Sequence, residues 1–333
     1  MNDVFLITGG YGHLGSNLVQ LLLSAKKKVR IFDRAGRACI SAPEGLLETV
    51  TGDIRNKQDL ECLFDGLQGC DVFVIHCAGI VSIASKEDKI VRDVNVNGTK
   101  NIVDLCLKHR VERLVYVSSV HALPEKRKGE TITEVSSFDP DNVVGLYAKT
   151  KAEASQMVLD SCESGLDAVI VHPSGIIGPG DYAVGHTTRL LVDYLNGKLT
   201  GGIAGGYDFV DVRDVCQGIL KCVEHGRCKE AYILSSRYIA IKEILDQLSN
   251  ISGRKPMKNY LPLWFIKPMA PLAELYYKIR KVKPLFTSYS LYTLKSNADF
   301  SHEKATRELG YQPRELSVTL RDTYDWLKQN GYI

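Results

Sequence analysis

Residues 4–15 read VFLITGGYGHLG, an apolar run followed at once by closely spaced glycines. The run Val4–Thr8 is typical of a buried strand, and a helix is predicted to begin near Leu14. Glycines between a strand and a helix allow a tight turn in which backbone N–H groups approach a pyrophosphate, whose charge the helix N-terminus favours. The stretch therefore predicts a dinucleotide-binding turn. Its expected cofactor contacts are Gly9, Gly12, His13, Leu14 and Gly15.

Short apolar runs alternate with amphipathic stretches up to about residue 180. This pattern predicts an α/β fold with a doubly wound parallel (Rossmann) sheet. Residues 1–180 are expected to form the dinucleotide-binding domain and residues 181–333 a smaller C-terminal α/β substrate lobe, whose elements can cross back into the main sheet. The predicted strands are Val4–Thr8, Lys28–Phe32, Leu47–Thr51, Val72–His76, Arg113–Ser118 and Ala168–His172, with a further strand at Ala231–Leu234. Helices are predicted from near Leu14, Asn56, Val91 and Tyr147, and over Val212–His225.

Polar and small residues follow the second, third and fourth predicted strands. Asp33 ends the second strand, where a carboxylate accepts hydrogen bonds from ribose hydroxyls and repels a 2′-phosphate, which favours NAD. Arg34 comes next, and its guanidinium could instead pair with the phosphate of NADP, so that alternative stays open. The further candidate cofactor contacts are Asp53 and Ile54 after the third strand, and Cys77, Ala78 and Gly79 after the fourth.

Tyr147 and Lys151 stand four residues apart on a predicted helix, which places them on one face. An ammonium beside a phenol stabilises phenolate and so lowers the phenol pKa from about 10. Ser119 follows the fifth strand closely, at the edge where open α/β sheets bind ligands. We expect Ser119 to bind a substrate oxygen, Tyr147 to exchange its proton, and Lys151 to tune Tyr147 and hold the nicotinamide ribose during hydride transfer.

Together with HPSGIIGPG at residues 172–180 and FVDVRDV at residues 209–215, these motifs resemble the extended short-chain dehydrogenase/reductase family of the NAD-dependent epimerase/dehydratase type. The resemblance covers nearly the whole chain and implies an NAD(P)-dependent dehydrogenase or reductase. It also implies that Ser119 rather than Ser118 is catalytic, and that Pro173 and Ile176 touch the nicotinamide end. Asn95 matches a family asparagine, although a helix-surface asparagine fits its context nearly as well.

Two local features distinguish branches of that family. Residues 119–121 read Ser-Val-His where sugar-nucleotide dehydratases carry Thr-Asp-Glu, so the residues for dehydration are missing. Tyr207 stands where sugar-nucleotide enzymes tend to place an arginine that clamps the diphosphate, although Arg189 or Arg213 could compensate. His121 and His186 lie where a substrate could reach, whereas His76 and His172 are expected to be structural.

In the C-terminal half, LPLWF at residues 261–265, PLFT at 284–287, FSHEKA at 300–305 and ELGYQP at 308–313 resemble dihydroflavonol-4-reductase-like and 3β-hydroxysteroid-dehydrogenase-like proteins. The resemblance implies hydride transfer to or from a bulky apolar ketone or secondary alcohol. One alternative is a nucleotide-sugar epimerase that transiently reduces tightly bound NAD. Another is a non-enzymatic dinucleotide sensor, which would have no need of Ser119, Tyr147 and Lys151.

Aromatic and aliphatic side chains concentrate between Tyr260 and Tyr292. They could form a pocket lid, pack the lobe or make a homodimer contact, since aromatics are common in all three settings. Peripheral attachment to a membrane is a further alternative, because basic residues adjoin the aromatic run. These basic residues are Lys278, Arg280, Lys281 and Lys283.

Composition excludes several classes of protein. The chain has 42 basic and 39 acidic residues in 333, a net charge of +3 that is too small and too evenly spread to predict a nucleic-acid partner. Its nine cysteines lack metal-binding spacing, so we expect no metal site and a reducing compartment. No signal-like segment precedes the first strand and no apolar run reaches about 20 residues. We therefore expect a cytoplasmic protein, without a spanning segment, that acts on a small molecule.

Overall fold

The computed structural model describes residues 3–34, 40–82, 88–199, 201–263 and 288–333. The described strands are β1 (Asp3–Thr8), β2 (Lys28–Asp33), β3 (Leu47–Thr51), β4 (Asp71–His76), β5 (Arg113–Val117), β6 (Ala168–Pro173), β7 (Gly175–Ile177), β8 (Gly202–Ile203), β9 (Gly206–Asp211), β10 (Ala231–Leu234), β11 (Arg237–Ala240) and β12 (Tyr260–Leu261). The described α-helices are α1 (His13–Ser24), α2 (Lys57–Glu61), α3 (Lys89–Arg92), α4 (Thr99–His109), α5 (Leu146–Glu163), α6 (His186–Leu195), α7 (Val212–His225), α8 (Ile241–Ser252), α9 (Ser288–Thr293), α10 (Glu303–Leu309) and α11 (Leu316–Gln329). A π-helical stretch, Asp93–Gly98, joins α3 to α4.

Seven parallel strands form the main sheet, in the order β10-β6-β5-β4-β1-β2-β3. One hydrophobic cluster packs α4 and α5 against one face of the sheet, and a second packs α1, α7 and α10 against the other. Helices on both faces of a parallel sheet define a doubly wound fold, so the predicted fold class is confirmed. All the parallel strands end at one edge, where their carboxyl ends gather the candidate site residues.

The seventh strand of the main sheet comes from the C-terminal half of the chain. Strand β10 pairs with β6, with Ala231 opposite Ile170. The remaining short strands form a three-stranded sheet, β11-β9-β7, and the pair β12-β8. A third hydrophobic cluster joins α6, α8 and α11 beside these strands. The division into a dinucleotide-binding domain and a substrate lobe at residue 180 stays a prediction.

Most predicted elements differ from the observed ones only at their ends. Strand β3 and helix α7 have the predicted bounds, whereas β5 ends at Val117 and β6 extends to Pro173. Ser118 still donates its N–H to Val171, at 2.8 Å, so the chain leaves the sheet gradually there. The helix predicted near Val91 begins at Lys89 and changes to π-helical geometry at Asp93.

Much of the aromatic stretch between Tyr260 and Tyr292 lies outside the described residues, which omit 264–287. The basic residues at 278–283 are among those omitted. The homodimer and membrane-contact interpretations of that stretch therefore stay predictions. In the ranges that are described, no helix has both the length and the apolar character to cross a bilayer.

Candidate active site

The glycine turn between β1 and α1 has the shape that a bound pyrophosphate requires. Gly9 has a φ of +71°, and a Cβ there would lie 2.8 Å from the Cα of Ala78. A Cβ on Gly15 would lie 2.1 Å from the carbonyl oxygen of Gly9, so helix and turn approach each other only without a side chain. Gly12 caps α1 with no side-chain hydrogen bond, which leaves the helix N-terminus free for an anion. These residues fit a dinucleotide cofactor.

The first turn of α1 is tied to the segment that follows β7. Leu14 is buried in the core under α1. His13 Nε2 lies 3.1 Å from the carbonyl oxygen of Pro179, and Asn17 Nδ2 donates to the same oxygen at 3.2 Å. Burial lowers the pKa of His13, so its imidazole is neutral at pH 7. The carbonyl can only accept, and Nε2 therefore carries the proton.

The carboxylate of Asp33 faces the glycine turn. The N–H of Tyr11 donates to Oδ2 at 3.0 Å, and the N–H of Arg34 donates to Oδ1 at 2.7 Å. The Tyr11 hydroxyl lies 3.1 Å from Oγ1 of Thr49, in the middle of β3. Asp33 thus holds the position at which a ribose hydroxyl is expected. Arg34 is exposed beside it, next to residues 35–39, which are not described.

The carboxylate of Asp53 is engaged by Arg55, a residue that sequence reasoning missed. Arg55 Nε donates to Oδ1 at 2.9 Å and Nη2 to Oδ2 at 2.6 Å. The hydrogen bond from Arg55 is the main cause that lowers the pKa of Asp53 to about 2. Ile54 is buried against Gly98. Because both carboxylate oxygens are occupied, an adenine amino group would have to share Asp53 with Arg55. An open cavity of about 460 Å³ is lined by Asp53, Arg55, Asn56, Asp93 and Asn97.

The small residues after β4 pass close to the predicted catalytic lysine. A Cβ on Gly79 would lie 3.3 Å from Asn95 Oδ1 and 3.5 Å from Lys151 Nζ. The preceding N–H groups bind β1, with Cys77 donating to the Thr8 carbonyl at 3.1 Å and Ala78 to the Thr8 hydroxyl at 3.3 Å. Burial raises the pKa of Cys77 to about 12, so its thiol is neutral. This backbone passes alongside the site without a bulky side chain, as a flat ligand requires.

Asn95 is buried, so the helix-surface interpretation of this residue is wrong. Its Oδ1 accepts from the N–H of Ile80 at 2.8 Å, and its Nδ2 donates to the carbonyl of Ile80 at 3.1 Å. Nδ2 also donates to Thr150 Oγ1 at 3.1 Å. Asn95 therefore joins the segment after β4 to helix α5, next to Lys151.

Ser119, Tyr147 and Lys151 meet where β5 ends and α5 begins. The hydroxyl of Ser119 lies close enough to that of Tyr147 to lower its pKa. Lys151 Nζ donates to the carbonyl of Val117 at 2.7 Å and lies 4.9 Å from the ring centre of Tyr116. All three side chains are buried, with at most 7% of each residue exposed. The structure thus brings Ser119 to Tyr147 and Lys151, which follow it in the chain by 28 and 32 residues.

Burial is the main influence on the titration of this group. It raises the pKa of Tyr147 to about 12, while the hydrogen bond from Ser119 acts in the opposite direction. Burial also lowers the pKa of Lys151 to about 8. We expected Lys151 to lower the pKa of Tyr147, whereas the burial of the phenol raises it. Tyr147 is consequently a neutral phenol at pH 7.

His172 fixes the backbone of Ser119. Its Nδ1 lies 2.8 Å from the carbonyl oxygen of Ser119, and since a carbonyl only accepts, Nδ1 carries the proton. The ring is fully buried, with its centre 5.2 Å from that of Phe138. Burial lowers its pKa to about 4. The hydroxyl of Ser119 in turn accepts the N–H of His121 at 3.3 Å.

His121 lies beside Tyr147 and two further rings lie against His121, and we call His121, Tyr207 and Tyr289 the aromatic wall. His121 stacks on Tyr207 at 5.5 Å between ring centres and meets Tyr147 edge-on at 6.0 Å. Its Nε2 lies 3.3 Å from the Tyr207 hydroxyl. Burial lowers the pKa of His121 to about 4, so the ring is uncharged at pH 7. Tyr289, whose ring centre is 6.3 Å from that of His121, packs directly against Gly145.

The other candidate residues lie further along the chain. Pro173 is buried at the end of β6, and Ile176 is half-buried in β7, opposite Val210. Arg213 is bound by Asp211 and Asp322, at 2.7 and 2.6 Å. Arg189 and His186 are exposed on α6. Within the described part of the chain, no three His, Cys, Asp or Glu side chains are grouped so that they could hold a metal ion.

A seven-stranded doubly wound sheet with an open glycine turn defines a dinucleotide-binding protein. Residues 5–235 match the NAD dependent epimerase/dehydratase family, and the chain belongs to that family. These matches confirm the expected membership of the extended short-chain dehydrogenase/reductase family, and the chain is an NAD-dependent enzyme.

Two relatives match almost end to end. The chain is 32% identical to a putative dihydroflavonol 4-reductase of Synechocystis sp., over 100% of this chain and 97% of that protein. It is 31% identical to sterol demethylase protein B of Methylococcus capsulatus, over 98% of this chain and 99% of that protein. The crystal structure of gox2253 has a TM-score of 0.84 at 29% identity and covers 100% of both chains.

Proposed function

We propose that the protein transfers hydride between a nicotinamide and a bulky apolar ketone or secondary alcohol. The aromatic wall beside Tyr147 is the observation that carries this proposal. Rings of His121, Tyr207 and Tyr289 next to the expected proton donor offer apolar, stackable surface to a substrate. The cavity that they help to enclose has a volume of only about 20 Å³, so a bulky substrate has to displace part of the wall.

The charges around this cavity favour an uncharged substrate over a sugar nucleotide. Tyr207 takes the place at which a guanidinium could clamp a diphosphate, and Arg213 is already paired with two carboxylates. No lysine or arginine is among the described residues that line the cavity, whereas Glu125 is. A carboxylate beside the substrate repels a diphosphate, which selects against that class of ligand.

The proposed roles follow from hydrogen bonding and protonation. The hydroxyl of Ser119 binds the substrate oxygen, and Tyr147, a neutral phenol at pH 7, gives that oxygen its proton during reduction. Lys151, whose ammonium lies next to Gly79, binds the nicotinamide ribose and stabilises the phenolate form of Tyr147. When bound, the nicotinamide supplies or accepts the hydride.

We propose that the enzyme prefers NAD to NADP, with cofactor contacts from the glycine turn, Asp33, Asp53 and the residues after β4. A carboxylate fixed by the Tyr11 N–H repels a 2′-phosphate, whereas Arg34 would attract one. The kcat/KM of the enzyme with NADH should exceed that with NADPH at equal concentrations. Replacing Asp33 with Ser should reverse that order.

A substrate screen tests the function. Oxidation of NADH is followed with steroid, flavonoid and simple aromatic ketones, beside UDP-glucose. We expect turnover with at least one apolar ketone, and a kcat lower by roughly a hundredfold or more in Tyr147→Phe, with NADH affinity nearly unchanged. Tyr292→Phe, which removes another hydroxyl near the cavity, is the matched control and should stay active. Interconversion of UDP-sugars with no net oxidation of NADH would contradict the proposal.

A further inference from the structure

Two cysteines lie together on the surface away from the proposed active site. Cys162 is near the end of α5, and Cys228 lies in the loop between α7 and β10. Their sulfur atoms approach neighbouring carbonyl oxygens, Cys162 that of Ala168 at 3.8 Å and Cys228 that of Leu166 at 3.7 Å. Cys228 also lies close enough to Cys162 to raise its pKa. They therefore form a pair in space, although 66 positions separate them in the chain.

The backbone around the two thiols is already joined. Glu163 follows Cys162 and Lys229 follows Cys228, and the side chains of these two residues form an ion pair at 3.0 Å. The N–H of Lys229 also donates to the carbonyl of Ala168 at 2.8 Å, just before β6 and β10 pair. A disulfide requires its two Cα atoms within about 7 Å, and segments held in this way need little movement to meet that requirement.

The surroundings of the pair suit oxidation better than metal binding. Cys228 is exposed and Cys162 is partly exposed, so a small oxidant can reach them. Across the described ranges, no third His, Cys, Asp or Glu joins them in a possible metal site. Burial raises the pKa of Cys162 to about 11, so the more exposed Cys228 is the thiol that meets the oxidant first.

We propose that Cys162 and Cys228 are a site of reversible disulfide formation by exchange with a low-molecular-weight disulfide. The thiolate of Cys228 attacks one sulfur of the oxidant, forms a mixed disulfide and releases one small thiolate. The thiolate of Cys162 then attacks the sulfur of Cys228, forms the protein disulfide and releases the second small thiolate. The protein loses two electrons to the oxidant, and the two protons from its thiols pass to the released thiolates.

The bond should stabilise the fold without changing the proposed active site. Cys162 lies eleven residues beyond Lys151 on α5, about 16 Å along the helix. Closing a long loop reduces the conformational freedom of the unfolded chain, which raises the thermal midpoint of unfolding. We therefore expect a higher Tm after oxidation, with no change in NADH affinity.

The test treats the full-length protein with oxidised glutathione, alkylates the remaining thiols and maps tryptic peptides without reduction. We expect peptide 152–189 linked to the dipeptide Cys228-Lys229, and a Tm higher by a few degrees that dithiothreitol reverses. Exposed Cys62 supplies the matched control. Cys62→Ser should behave as the unmodified chain does, whereas Cys228→Ser, a change at an exposed position, should lose both the link and the rise in Tm.

Two kinds of result would overturn the proposal. The first is glutathione retained on Cys228 while Cys162 stays open to alkylation, since the exchange would then stop at the mixed disulfide. The second is a rise in Tm of the same size in Cys228→Ser, which would assign the effect to another thiol. Both readouts are independent of which substrate the enzyme reduces.

Discussion

At the scale of single residues, the proposed chemistry depends on a phenol that is buried and neutral. Burial raises the pKa of Tyr147 to about 12, and the contact with Ser119 opposes that rise. The acid form therefore predominates throughout the neutral range, which suits proton donation to a carbonyl. Proton removal from an alcohol needs the scarce phenolate.

The two directions of the reaction should depend differently on pH. Below the pKa of Tyr147 the fraction of phenolate rises tenfold per pH unit, so kcat/KM for alcohol oxidation should rise steeply between about pH 6 and 9. The kcat/KM for ketone reduction should change little over that range. Ser119→Ala removes the hydrogen bond that lowers the pKa, and its oxidation profile should shift to higher pH. A flat oxidation profile would argue against Tyr147 as the base.

Some residue-level features could not be predicted from the sequence. The motifs pointed to Asp53 and Ser119, but the partner of each was missed. Arg55 is two positions from Asp53, yet only the folded turn directs its guanidinium onto the carboxylate. His172 was expected to be structural, and its bond to the Ser119 carbonyl depends on the pairing of β5 with β6. Such contacts follow from tertiary geometry rather than from local pattern.

At the scale of elements, the start of α5 sets the position of the aromatic wall. Gly145 precedes the helix with a φ of +99°, and a Cβ there would lie 2.2 Å from the ring of Tyr289. Gly165, just beyond the other end of α5, has a φ of +93° and nothing within 4 Å of the corresponding position. A side chain at either glycine would strain the backbone. Only a side chain at Gly145 would also collide with Tyr289.

Gly145→Ala and Gly165→Ala should therefore separate strain from packing. Each substitution should cost about 1 kcal/mol of stability through its backbone conformation. Gly145→Ala should also displace Tyr289, lower the Tm further and change KM for an apolar ketone several-fold. Thermal unfolding and steady-state kinetics of both variants provide the measurement. Equal losses in the two variants would show that the Tyr289 contact has no energetic importance.

The π-helical stretch Asp93–Gly98 shows where element prediction fails. A helix near Val91 was predicted from apolar spacing, but the change of hydrogen-bond register was not. A π-turn inserts an extra residue, and such turns are frequent at functional sites. Here the stretch contains Asn95, which joins Ile80 to Thr150. No periodicity in the sequence marks the change from α-helical to π-helical geometry. The partners of Asn95, Ile80 and Thr150, belong to other parts of the chain.

At the scale of the whole molecule, several buried histidines make the fold sensitive to acid. Burial lowers the pKa of His76 to about 3 and those of His121 and His172 to about 4, below the ordinary value of 6.5. The unfolded chain therefore binds three more protons near pH 5. Burial raises the pKa of Asp208 to about 6, so the folded chain holds one extra proton there. Stability should fall as pH falls from about 6.5 to 4.

The free energy of unfolding, measured by denaturant titration at several pH values, tests this expectation. A net uptake of two protons corresponds to a slope of roughly 3 kcal/mol per pH unit near pH 5. His121→Phe should reduce the slope by about 1.4 kcal/mol per pH unit, because one protonation is lost. Val318→Ala, at an exposed position without a titratable group, should leave the slope unchanged. A slope that His121→Phe does not alter would contradict a buried neutral imidazole.

Much of the global architecture was predictable because parallel strands leave near-continuous apolar runs. The runs at residues 4–8 and 72–76 gave the centre of the sheet, and the glycine turn gave its ligand-binding edge. The short strands β7, β9 and β11 were not predicted, since runs of three to six residues carry little periodicity. The aromatic wall was missed as a unit because its rings come from three distant parts of the chain.

The placement of Ser119 against Tyr147 depends on the sheet and on α5, not on the chain between them. The hydroxyls of Ser118 and Ser155 meet at 2.7 Å, and Lys151 binds the carbonyl of Val117. The intervening stretch 125–131 is exposed along its whole length. Insertions or deletions there can therefore accumulate without disturbing proton transfer. Changes in residues 125–131 can therefore alter the substrate range while Ser119, Tyr147 and Lys151 keep their positions.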